Sequence, residues 1–183
     1  NFTVNSPDAT NSWNRNGANL TVGGTLTLTD GYIISQGGGG GGVGTMALAA
    51  VTIAAIGAID WGTGSHTVSG AYTNNSTDAL WVAGTGTVTF TSATGGTMTF
   101  AGTNLAEDEF FSVAFNSPAG TAQTFTMATR GLRWGGTLTM TDSSGGSTIL
   151  AKGTLPFTGG GISFSGTSIV AITSTSGDAT ITT

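Results

Sequence analysis

Apolar and polar positions alternate strictly along residues 20 to 30, LTVGGTLTLTD. Leu20, Val22, Leu26 and Leu28 share one parity, and Thr25, Thr27 and Thr29 take the other. Successive side chains of an extended strand point to opposite faces, so this pattern predicts leucine and valine inward and threonine outward. The same period of two returns in GTVTFTS (86–92), GGTMTF (95–100), GGISFSG (160–166) and DATITT (178–183). β-Branched threonine suits a pleated surface, and Gly-Gly and Asp-Gly steps punctuate the strand ends. The chain therefore reads as all-β.

The octet GGTLTLTD (23–30) recurs as GGTLTMTD (135–142). Asn-Ser-Pro at 5–7 recurs at 116–118, and each copy follows a short alternating strand, Phe2 and Val4 in the first, Val113 and Phe115 in the second. With a one-residue slip, these matches define an internal repeat of about 111 residues. A single all-β domain over 1–183 is expected, with one partial copy over 1–110 and a second over 111–183. Two architectures fit the short, closely spaced strands. One is a β-solenoid (parallel β-helix), whose rungs stack in register; the other is a β-sandwich or jelly roll with a donated strand. The likeness of the threonine rows, the short glycine-rich turns and the partial repeats favour the solenoid.

One stretch departs from the alternation. Six glycines (37–42) lead into VGTMALAAVTIAAIGAID (43–60), which is Ala-rich and uncharged up to Asp60. It reads as an insertion, a buried strand pair or short apolar helix on the body, or a segment buried against a neighbouring subunit. Its glycines and small residues fall short of the ~20 predominantly apolar residues of a spanning helix, so no transmembrane span is expected.

Composition narrows the function. Charged residues make up 7% of the 183 residues, against about 25% in an average soluble domain. Surface polarity therefore comes from hydroxyls and amides, which leaves little electrostatic protection against self-association. The net charge is −5, and Arg15, Arg130, Arg133 and Lys152 are the only strong cations, so nucleic acid is not an expected partner. With no cysteine, disulfides and thiolate chemistry are excluded. The opening NFTVNSPDAT has neither the basic start nor the apolar core of a signal peptide, so the chain reads as a mature product or a piece of something longer.

The phrases LTVGGTLTLTDG, IDWGTGSHTVSGAYTN, AGTGTVTFTS and FFSVAFNSPAG resemble the tandem repeats of large prokaryotic surface proteins, the filamentous-haemagglutinin-like parallel β-helix adhesins. The resemblance is one of repeat texture, and covers most of the chain apart from 37–50 and the acidic stretch near 107. It implies a secreted, cell-surface structural role, and it carries no catalytic residue across.

Candidate chemistry is sparse. Glu107, Asp108 and Glu109 form the one dense cluster of charge, a candidate calcium loop or a solvated strand entry, without the DxDxDG or GGxGxD spacing of known calcium motifs. His66 is the sole histidine. Asp60 or Asp78 and a serine would complete a triad on paper, but no GxSxG elbow accompanies them, and a surface or turn histidine is expected. Neither catalysis nor a cofactor is expected. Trp13, Trp61, Trp81 and Trp134 are candidates for sugar stacking or, more simply, for the core; Trp134 aligns with inward Val22. Asn1, Asn19, Asn74 and Asn75 head Asn-x-Ser/Thr sequons and are candidate glycosylation sites. The outward Thr-x-Thr rows resemble the faces of ice-binding proteins.

Strand-like NFTVN and ATITT read as uncapped solenoid ends, and open ends template further strands. The expected function is a non-enzymatic subunit of an extracellular filament, sheath or surface layer. It would polymerise head-to-tail through terminal strands and the apolar segment. The alternative is a monomeric adhesin-stalk or glycan-binding module.

Overall fold

The computed structural model describes residues 1–5, 12–34, 44–77, 81–91, 96–100, 110–117, 122–129, 133–142, 147–152, 157–165, 169–174 and 181–182. They form fifteen strands: β1 (Phe2–Asn5), β2 (Ser12–Asn14), β3 (Leu20–Ile34), β4 (Met46–Ile59), β5 (Ser65–Val68), β6 (Tyr72–Asn74), β7 (Thr87–Phe90), β8 (Gly96–Phe100), β9 (Ser112–Ser117), β10 (Ala122–Thr129), β11 (Arg133–Asp142), β12 (Ser147–Lys152), β13 (Phe157–Ser165), β14 (Ile169–Ser174) and β15 (Ile181–Thr182). Every pairing is parallel. An antiparallel sandwich is thereby set aside, and the fold is a β-solenoid. No helix among the described residues is long and apolar enough to cross a membrane.

Two columns of strands run up the solenoid. The first half of β4 pairs with β5, and the series continues through β7, β9, β11, β13 and β15; we call this face A. The second half of β4 pairs with β6, and that series continues through β8, β10, β12 and β14; we call it face B. On face A the register Thr21–Ala47–Thr67–Thr89–Ala114–Thr139 gives rungs of 20 to 26 residues. A third side is built from β2, the ends of β3 and β4, and the bridge between Asp60 and Val82.

The alternation of the sequence produces the core directly. Along β3, Val22, Leu26 and Leu28 are buried, whereas Thr21 and Thr29 are exposed and Thr25 and Thr27 half-buried. Neighbouring rungs repeat the choice. Val22, Leu48, Val68, Phe90, Phe115 and Met140 follow one another in register up face A, and all are buried. Each contributes roughly 1.5–3 kcal/mol. The Phe90 and Phe115 rings stack with centroids 5.3 Å apart, while Tyr72 meets Phe90 edge-on from face B at 5.5 Å.

Two expectations take a different form here. The apolar segment is an ordinary rung: β4 pairs with β3 on one side and with β5 and β6 on the other. Its Met46, Leu48, Val51, Ile53 and Ile59 are spent on the chain's own core, leaving Ile56 as its exposed large residue. The glycines at 37–42 lie outside the described residues. The octets, for their part, occupy different faces. Leu26 stands in register with Val51 and Tyr72 on face B, and Leu138 with Val113 and Val88 on face A. What repeats is a pair of rungs, because Phe2 pairs with Leu26 as Val113 pairs with Leu138, and Val4 with Leu28 as Phe115 with Met140. In both copies the Gly-Gly step coincides with a register shift, between Val22 and Thr25 and between Trp134 and Thr137. There a bulge re-aims the strand that follows.

Candidate functional site

Polar groups collect in two places, a buried corner and an outer face. The corner begins at the turn after β2. Asn14 Oδ1 accepts a hydrogen bond from the Asn16 N–H at 2.8 Å, and Asn16 (φ 48°) and Gly17 (φ 75°) take the left-handed conformation. Asparagine and glycine tolerate that region best. The reversal turns the Arg15 side chain under the corner, where it is 4% exposed. Its Nη1 donates to the carbonyls of Ala18 (2.5 Å) and Thr45 (3.1 Å), and its Nη2 to that of Gly44 (3.2 Å). The guanidinium thus fastens the first turn to the next rung by satisfying carbonyls whose burial would otherwise cost about 1–3 kcal/mol each.

Asp60, at the end of β4, is also buried, and its Oδ1 accepts from the Gly62 N–H at 2.8 Å. Burial pushes its pKa up, opposed by that hydrogen bond and by the positive charge of Arg15. His66 in β5 is fully buried rather than on a surface or in a turn. Its Nδ1 accepts from the Met46 N–H at 3.0 Å, and its Nε2 donates to the Trp61 carbonyl at 2.5 Å. The first of these contacts fixes the neutral Nε2–H tautomer, since a protonated Nδ1 has no lone pair to offer. Burial, opposed by the Trp61 hydrogen bond and aided by the positive charge of nearby Arg15, lowers the His66 pKa to about 4. Both ring nitrogens are committed to backbone and the ring has no solvent-facing edge, so His66 cannot act on a substrate in this arrangement. Asp78, the other triad candidate, lies outside the described residues.

The remaining sequence candidates are distributed as follows. Glu107, Asp108 and Glu109 lie outside the described residues; among those described, no group of three or more His, Cys, Asp or Glu is placed to hold a metal ion. Trp61, Trp81 and Trp134 are buried, and only Trp13 is exposed. Trp134 faces inward as expected, but it bridges to Phe110 and does not share the Val22 column. Of the sequon asparagines, Asn74 is buried with its Oδ1 accepting from the Ser76 N–H at 2.9 Å, which closes it to a modifying enzyme in the folded chain. Asn75 is half-buried. Asn1 and Asn19 are exposed, with Oδ1 atoms that accept from the Thr25 and Thr45 N–H groups. Arg15 is the residue that sequence reasoning passed over, counted there only as a cation. The Asn-Gly step directly after it is the signal that it begins a turn.

The outer side of face A carries three ranks of small side chains. In successive rungs they read Thr45, Ala47, Ala49; Ser65, Thr67, Ser69; Thr87, Thr89, Thr91; and Ser112, Ala114, Asn116. None is charged and none is large. A shallow trough of about 210 Å³ runs between two of the ranks, with Thr21, Ala47 and Thr67 along one and Gly23, Ala49 and Ser69 along the other.

Comparison with known proteins leaves the fold and these two polar regions to speak for themselves: no family model, no curated protein and no solved structure matches the chain.

Proposed function

We propose that the chain is a non-enzymatic structural subunit of an extracellular filament, sheath or surface layer, built by stacking the end rungs of one copy on those of the next. The observation that carries this reading is the pairing of the outermost strands. Among the described residues, β1 and β2 pair only with β3, β14 only with β12, and β15 only with β13. A strand with one free edge presents a row of unpaired N–H and C=O groups, which is a template for another strand. The first rung also leaves its apolar layer partly uncovered: Phe2, Val4 and Leu20 are half-buried, and Trp13, 37% exposed, lies against Phe2 with ring centroids 5.1 Å apart. Contact between unlike ends generates a fibre where its rotation does not close into a ring. The β4 segment contributes at most Ile56 to such an interface, because its other large side chains are already buried.

Electron microscopy with sedimentation of the purified chain tests the proposal. Fibres that lengthen with protein concentration are expected, with a diffraction repeat along the axis of about 4.7–4.9 Å from the stacked strands. Monodisperse single chains at high concentration overturn it and favour the adhesin-stalk or glycan-binding alternative, for which exposed Trp13 is the remaining aromatic platform among the four tryptophans.

A further inference from the structure

We infer that face A is an adsorption surface for a planar, uncharged hydrogen-bonding lattice, the surface of an ice crystal. Three observations carry this. The first is regularity: Thr21, Ala47, Thr67, Thr89, Ala114 and Thr139 stand in unbroken register over six rungs. Ser65, Thr87 and Ser112 form the parallel rank, and Ser112 Oγ accepts from the Thr137 N–H, tying it to the rung above. Strand stacking sets the spacing at about 4.8 Å along the solenoid, and alternate residues lie roughly 6.6 Å apart across it. Both lengths are comparable with the oxygen repeats on the faces of hexagonal ice.

The second observation is chemical. The ranks mix hydroxyls with methyls, and the alanines at 47 and 114 keep the face level without adding charge. An ionic side chain would hold its own hydration shell and disturb an ordered water layer; among the described residues, none of the ranks carries one. The ranks themselves hold no aromatic ring for a sugar; exposed Phe111 lies just before β9, outside them.

The third is the trough between the ranks. It begins at Gly23, where an added Cβ would meet nothing within 4 Å, and is open to solvent with the hydroxyls of Thr21, Thr67 and Ser69 along its sides. A file of waters held there would extend the hydroxyl pattern into a two-dimensional array. A second copy of the chain is the weaker occupant. Small uncharged hydroxyl side chains gain little by leaving water for each other.

The test is ice-affinity partition and the gap between melting and freezing points, measured on the purified chain in whatever assembly state it adopts. Thr67→Tyr places a bulky ring in the trough of face A, and Ile56→Tyr places the same ring on the third side, at an exposed residue outside any threonine rank. The unsubstituted chain is expected to enter growing ice and open a gap between the two temperatures. Thr67→Tyr is expected to lose both effects and Ile56→Tyr to keep both, with circular dichroism confirming the fold; Thr89→Lys replaces Thr67→Tyr should the latter not fold. Exclusion of the unsubstituted chain from ice overturns the inference. So does full activity of the face A variant, or lateral pairing of chains that the Thr67 substitution abolishes, which would assign the face to a second copy. Fibre formation can fail without affecting any of these readouts.

Discussion

At the scale of single residues, the buried corner explains how a chain with so few charges uses them. Arg15 and His66 both complete backbone hydrogen bonds within the corner and to the next rung, Arg15 by donating to three carbonyls and His66 by accepting from Met46 and donating to Trp61. Histidine can fill that role only while neutral. Its pKa in the fold is about 4, below its ordinary value near 6.5, so between these values the unfolded chain binds the proton that the folded chain refuses. Stability is therefore full above pH ~6.5 and falls as the pH drops toward ~4, by on the order of 3 kcal/mol from this residue. Asp60, whose pKa is raised, works in the opposite sense: its buried charge is relieved as acid protonates it, offsetting part of the loss. Urea titrations at pH 7 and pH 4.5 should show a lower midpoint in acid. His66→Gln, whose amide can both accept and donate, should flatten that dependence. An unchanged slope in the variant would mean that other groups govern it.

At the scale of elements, close stacking of rungs restricts the corners more than the strands. Gly84 takes φ +68°, and a Cβ there would press on the Gly62 carbonyl and amide of the rung below, itself at a left-handed glycine (φ 67°). The two glycines sit one above the other because Thr85 and Gly86 both donate to the Gly62 carbonyl. Gly84→Ala therefore combines backbone strain with a clash against main chain that cannot rotate away. A loss of at least ~2 kcal/mol in unfolding free energy is expected. Thr89→Ala, on the outer face of the neighbouring strand, should cost less than ~1 kcal/mol. Equal losses for the two would place the constraint in the strands instead of the corners.

At the scale of the whole molecule, one-directional stacking makes the β1–β2 edge of the described rungs unlike the β14–β15 edge. Burial inside is near complete, with Leu26, Leu28, Ile53, Tyr72 and Phe115 all at 0% exposure, yet the first rung keeps Trp13 open to solvent. If end-to-end stacking builds the polymer, a charge at that position faces desolvation by the incoming rung, as edge lysines do in natural sheets. Trp13→Lys is expected to leave the monomer folded and to abolish fibres in electron micrographs. Fibres undiminished by this change would move the contact away from the β1–β2 end.

The period of two in TLTLTD, TVTF and SVAF is enough to predict strands and to sort inward from outward side chains, because that choice depends only on which residues alternate. The alignment of the two repeats, which sets Trp134 at the place of Val22, anticipated its inward side chain. Parallel stacking, the rung lengths and the different faces taken by the two octets were decided in three dimensions. They depend on how many residues each corner consumes, and corner geometry follows from bulges at Gly23–Gly24 and Gly135–Gly136 and from carbonyls some twenty residues away. The same reason hid the corner of Arg15, Asp60 and His66. A lone polar residue reads as surface in a linear pattern, and only the stacked backbone, with its N–H and C=O groups turned inward at a corner, supplies the partners that let it be buried.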